Sequence, residues 1–236
     1  MTEAQTMSQW ADAQERMQLE ELNDKLVTKS LLYALADGER GVSFGQGTDK
    51  QLLMGEDPRL PKMPAQPTLM DFFRLRFSPG SLQHLLQSAN LAQKNGLSET
   101  LVLACLLHDI AVAGFIRSDH GYWGAQLIEP YVDEEASWAI RYHQALRFYP
   151  DESVGYPYPE NYVRMFGGDY VPDPYIRRDY AYARKHKWYM SARMICVNDL
   201  YSFDPDVVVT MAQFEDIIGR HFKQPKEGLG NDNTPS

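Results

Sequence analysis

His108-Asp109 closes a stretch, LVLACLLHDI, that is apolar on almost every face of a helix. Burying an ionisable pair there is unfavourable unless a metal or an opposite charge neutralises it. Taken alone, the pair reads equally well as a buried structural contact. Three more histidines, His84, His120 and His143, fall on three other predicted helices, so four of the chain's 6 histidines arrive one per helix. Asp199 stands in ICVNDLYSF, a second carboxylate in apolar surroundings that needs a partner, with an exposed face or an N-cap as its alternative role. Neutral imidazoles and carboxylates are a donor set for iron, manganese, zinc and similar divalent ions, and facing helices can bring them together. The number of ligands is enough for two ions.

The elements that must position these residues are helical. Apolar positions from Gln9 to Asp37 recur at helical spacing and predict one or two amphipathic helices. Residues 38–67 are rich in Gly, Pro and charge and predict an extended connection. Ser78-Pro79 provides an N-cap and a first-turn proline for a helix that ends at Gly96 and carries His84. Ser98 starts the apolar helix ending at His108-Asp109, Ser118 or Asp119 caps the helix of His120, and Asp133 caps that of His143. The region from Tyr149 to Tyr201 is dense in tyrosine and opens on Pro/Gly-rich text, which suits either a lid over a pocket or packing against the N-terminal helices. A helix from about Arg178 to Ser202 carries Asp199, and Asp204-Pro205 begins a last helix through Phe222. No repeat and no strand pattern is visible. The expected organisation is an all-α helical bundle: residues 1–66 as an N-terminal helical extension and connection, 67–224 as the metal-bearing domain, and 225–236 as a polar, disordered tail.

In order, His84, His108-Asp109 and Asp199 resemble the HD-domain superfamily, whose pattern is His, then His-Asp, then a distant Asp; the likeness runs from Ser78 to Ser202. His120 and His143 fill the two further positions of the six-ligand, dinuclear branch, and His120-Gly-Tyr-Trp-Gly-Ala is similar to that branch around its third histidine. The resemblance implies one metal on His84, His108, Asp109 and Asp199 and a second on His120 and His143, with Asp109 bridging. The oxygen-using members of that branch look like myo-inositol oxygenase and the phosphonate-cleaving mixed-valent di-iron oxygenases, and the spacing of His84, His108-Asp109, His143 and Asp199 is similar to the latter. It implies a di-iron oxygenase acting on a small polar or anionic substrate by O2-dependent C–H abstraction, with bond cleavage or hydroxylation. Manganese, zinc or another divalent ion is the alternative to iron, and phosphohydrolysis of a nucleotide or small phosphate ester is the alternative reaction. Arg147, four residues after His143, shares its helix face and reads either as the holder of an anionic substrate group, with Tyr149 beside it, or as an exposed cation favoured by the dipole at the helix C-terminus. The other phosphonate-contacting positions of those enzymes do not carry over: Val112 and Cys196 stand there, and their upstream tyrosine and acidic residue find no match around Arg74 and Phe77.

Composition narrows the partners. With 23 basic and 32 acidic residues the formal net charge is −9, a field that repels nucleic-acid backbones. No apolar run approaches the roughly 18–20 residues of a membrane span, and the opening MTEAQTMSQW lacks a basic-then-apolar signal pattern, so a cytoplasmic protein is expected. Cys105 and Cys196 form no CxxC pair and read as reduced core thiols. His186, among basic neighbours, and His221, near the end of the last helix, read as surface residues.

Overall fold

The structure, a computed structural model, describes residues 9–17, 61, 64, 67–77, 79–113 and 119–223. Residues 18–37 of the expected N-terminal helices, most of the connection, Ser78, Ser118 and the tail lie outside the described residues. Within them the fold is all-helical, with no strand and one isolated bridge between Asp151 and Tyr156. In chain order the described α-helices are α1 (residues 9–17), α2 (Leu69–Arg76), α3 (Pro79–Lys94), α4 (Glu99–Leu107), α5 (Ile110–Ala113), α6 (His120–Ile128), α7 (Glu134–Arg147), α8 (Glu160–Phe166), α9 (Pro174–Ala183), α10 (Tyr189–Leu200) and α11 (Glu215–His221).

The helix boundaries have local causes. Thr68 caps α2 in a reciprocal box with Asp71. After α3, Gly96 takes φ +71°; its N–H reaches Gln93 O at 3.0 Å and the N–H of Leu97 reaches Ala92 O at 3.0 Å, the paired bonds of a Schellman ending. A β-carbon would strain this backbone. The chain turns at once into α4, whose start is capped by the Ser98 hydroxyl. Asp119 begins α6 but gives it no side-chain cap; it sits at φ 55° and its carboxylate accepts instead from the Tyr175 hydroxyl at 2.7 Å.

α4 lies at the centre because it has no polar face, and Val102 through Leu107 are all buried. Each fully buried leucine there contributes roughly 1.5–3 kcal/mol of apolar transfer. Around it α3, α7, α10 and α11 pack, while α7 also contacts α6 and α9. The end of α7 is fixed from outside its own helix. Arg193 of α10, fully buried, donates through Nη1 to Leu146 O at 3.1 Å and Tyr149 O at 3.0 Å, and the Tyr156 hydroxyl donates to Arg147 O at 3.0 Å. These bonds satisfy carbonyls that a helix terminus leaves without partners.

Two expected helices are corrected. The single helix over 178–202 is two, α9 and α10, separated by Arg184 to Trp188. In this break His186 stacks on Trp138 with ring centroids 4.1 Å apart, a tertiary contact that competes with the helix propensity of the segment. The last helix does not begin at Asp204-Pro205. Extended chain follows, because the Gln87 and Gln83 side chains bind the backbone of Asp204, Val207 and Val209. A 3₁₀ turn over Met211–Phe214 then leads into α11.

Candidate metal centre

α3, α4, α6, α7 and α10 each deliver a side chain to one buried point. His84, His108 and Asp199 form one group whose ligand atoms all lie within 4.8 Å of one another, and Asp109, His120 and His143 form a second. In the first, His84 Nε2 is 3.3 Å from His108 Nε2 and 3.2 Å from Asp199 Oδ1, and His108 Nε2 is 3.5 Å from that same oxygen. In the second, His120 Nε2 is 3.1 Å from His143 Nε2 and 3.3 Å from Asp109 Oδ1. Asp109 joins the two, because its Oδ2 lies 3.6 Å from His84 Nε2 and its Oδ1 3.7 Å from His108 Nε2.

The imidazoles are oriented by the bonds of their other nitrogens. His108 Nδ1 donates to Cys105 O at 2.7 Å and His143 Nδ1 to Ile140 O, each within its own turn of chain. His84 Nδ1 faces the Ser202 hydroxyl at 2.7 Å, which itself donates to Asp199 O. The Nε2 lone pairs are thereby turned toward one another, an arrangement that repels unless a cation lies between them. Asp109 Oδ1 is buried and has no hydrogen-bonding partner. Both observations fit a pair of metal ions, as does a donor set of imidazole and carboxylate only.

The electrostatics agree. Burial would lower the basicity of His84, yet Asp109 and Asp199 outweigh it and push the imidazole up to about 10. Burial and the imidazoles of His120 and His108 keep His143 well below its ordinary value, in the neutral form that ligates. Burial opposes ionisation of both aspartates. Arg147 and the imidazoles of His108 and His84 overcome it at Asp199, and the imidazoles of His108, His120 and His84 do so at Asp109, so both carboxyls lie below the usual range.

Arg147 has other partners than the substrate anion expected of it. Its Nε lies 3.3 Å from Asp199 Oδ2 and its Nη2 3.1 Å from Glu15 Oε1, and the guanidinium rests over the Tyr162 ring at 5.1 Å. Among the described residues, these two carboxylates are the charged partners of its guanidinium. The Tyr149 ring stacks on that of Tyr180 with centroids 3.6 Å apart. The aromatic segment packs against α1, with Asp12 accepting from the backbone N–H of Glu160 and from Asn161 Nδ2 through its carbonyl. Of the two roles open to this segment, packing against the N-terminal helix is the one its contacts show. Glu15 is the residue that sequence reasoning missed, since an acid in an amphipathic helix carries no mark of a distant buried partner.

The remaining candidates take structural places. Cys105 and Cys196 are buried free thiols, pushed up to about 12 by burial, and Cys196 donates to His143 O. His221 pairs with Glu99 at 2.9 Å, which ties α11 to the start of α4. No described helix is long and apolar enough to cross a membrane.

Comparison with known proteins agrees with this geometry. Residues 81–164, from just before His84 to beyond His143, match the HD domain family. Over 80 residues the chain is 30% identical to a [1-hydroxy-2-(trimethylamino)ethyl]phosphonate dioxygenase (glycine-betaine-forming) of Leisingera caerulea, a stretch that covers 28% of this chain and 39% of that protein. The four histidines and Asp109 fall inside the segment that matches the HD domain family, Asp199 lies beyond it, and the two groups they form are ones that could hold metal ions.

Proposed function

We propose that the protein is a di-iron oxygenase acting on a small polar or anionic substrate. The observation that carries this reading is Asp109, whose two oxygens face the two histidine groups and so make the site a pair rather than two separate positions. His84, His108 and Asp199 would hold one ion, His120 and His143 the other, and Asp109 would bridge. Iron held there would supply the binding and activation of O2 that breaks a substrate C–H bond. The similarity to a phosphonate dioxygenase supports oxygen chemistry over hydrolysis.

The chain's own residues account for the substrate class. Asp109, Asp199 and Glu15 set three carboxylates against the single guanidinium of Arg147, so the protein alone would repel an anion. Two multivalent cations reverse that sign. An anionic or strongly polar group would then be drawn to the ions themselves.

The test is metal analysis with Mössbauer and EPR spectroscopy of protein handled without air, followed by O2 uptake with a panel of small phosphonates and polyols. A mixed-valent di-iron signal and substrate-dependent O2 consumption are expected. Release of phosphate from nucleotides or small phosphate esters, with redox-inert metal bound and no O2 consumed, would replace this reading with phosphohydrolysis.

A further inference from the structure

We infer that Glu15 of the N-terminal helix is a positioning residue for the metal centre, acting through Arg147 on Asp199. The inference rests on the metal-site reading above and goes beyond it, because Glu15 lies far outside the segment that matches the HD domain family.

Asp199 is split between two tasks. Its Oδ1 faces His84 and His108, at 3.2 and 3.5 Å, whereas its Oδ2 faces Arg147 Nε at 3.3 Å. A carboxylate anchored in this way offers one oxygen to an ion and keeps the other in a charge-assisted hydrogen bond. Arg147 is in turn held by Glu15, at 3.1 Å, on a different nitrogen of the same planar group. Glu15 is itself oriented: Asn161 Nδ2 donates to its Oε2 at 3.2 Å, and the same amide donates to the carbonyl of Asp12 one turn earlier in α1. The chain of contacts thus runs from Asn161 to Glu15, to Arg147, to Asp199.

The charge order makes the direction of the effect plain. With Glu15 in place, Arg147 is shared between two carboxylates and pulls on Asp199 with part of its strength. Without that negative charge the guanidinium would bind Asp199 alone and present an uncompensated positive charge beside the ions. Both changes weaken metal binding. Loss of outer partners of this kind typically lowers metal affinity by about 10–100-fold.

The experiment uses the full chain stripped of metal and titrated with Co2+, whose visible absorption reports the geometry of its ligands. Glu15→Gln keeps the shape and removes the charge; it should lower Co2+ affinity by about 10-fold or more and change the band intensities as Asp199 alters its mode of binding. Asp12→Asn is the control. Asp12 is buried and anchors the same helix to Glu160, but it does not touch Arg147. A role for α1 confined to packing predicts that the two variants behave alike, or that Glu15→Gln leaves affinity and spectrum at parental values, and either result overturns the inference. Should Glu15→Gln fail to fold, Asn161→Ser, which frees the Glu15 carboxylate without removing it, should shift affinity in the same direction, and an unchanged value there overturns the inference equally. The metal-site reading fails separately. It falls, and the inference with it, if the parent binds no Co2+ or if His108→Ala binds it as the parent does.

Discussion

In the proposed site Asp109 would carry two duties, which can be separated by counting. It is a half-buried carboxylate within reach of both histidine groups, so an Asp109→Ala protein should lose both ions, since the imidazoles are then left facing one another without compensating charge. A His143→Ala protein should keep about half of its metal, because His84, His108 and Asp199 remain intact. Metal content of the two purified variants decides, and equal stoichiometry in both would argue against a bridge. Much at this scale is readable from sequence. His108-Asp109 announces itself by ending a helix with no polar face, and His84, His120, His143 and Asp199 stand in a fixed order along it. Arg147 illustrates the limit. Its place on the face of His143 follows from helical spacing, but which carboxylate takes its charge is decided by a helix 132 residues earlier.

Among the helices, the contact of α6 with α7 governs whether the second histidine pair can meet. A β-carbon on Gly121 would come within 2.8 Å of Ile140 O and 3.1 Å of Gln144 Cβ, so the helix next to His120 can approach only without a side chain. Gly121→Ala should force α6 outward, with a loss of roughly 1–3 kcal/mol in denaturant unfolding, and take the ion of His120 and His143 with it. Full stability with full metal content would show that the crossing relaxes freely. The glycine is visible in the sequence, but its reason is not, because the reason is a backbone on another helix. The break between α9 and α10 is hidden for a similar cause. Arg184 to Trp188 contain neither glycine nor proline, and the contact found there is with a distant residue, the stacking of His186 on Trp138. The extended chain after Asp204 likewise depends on amides supplied by α3, which no local pattern in residues 203–210 reveals.

For the molecule as a whole, the candidate ligands span residues 84 to 199, so ions held by them tie five helices together. Removing metal with a chelator should therefore lower the melting temperature of the whole domain. At ions present at about 100 times their dissociation constant, binding stabilises by roughly 2.7 kcal/mol, a shift of roughly 5–10 °C for a chain of this length. Scanning calorimetry before and after chelation measures it, and coincident curves would show that the ions do not bridge the fold. The contact of Glu15 with Arg147 has a further consequence, in time rather than in energy. The two residues stand 132 apart in sequence, so the carboxylate leaves the ribosome long before the guanidinium and aspartate it will meet. Such distant pairings are slow to close. The expectation is that the inner face of the site assembles from its own helices first and that the outer wall follows, when a segment made early returns to a bundle made late.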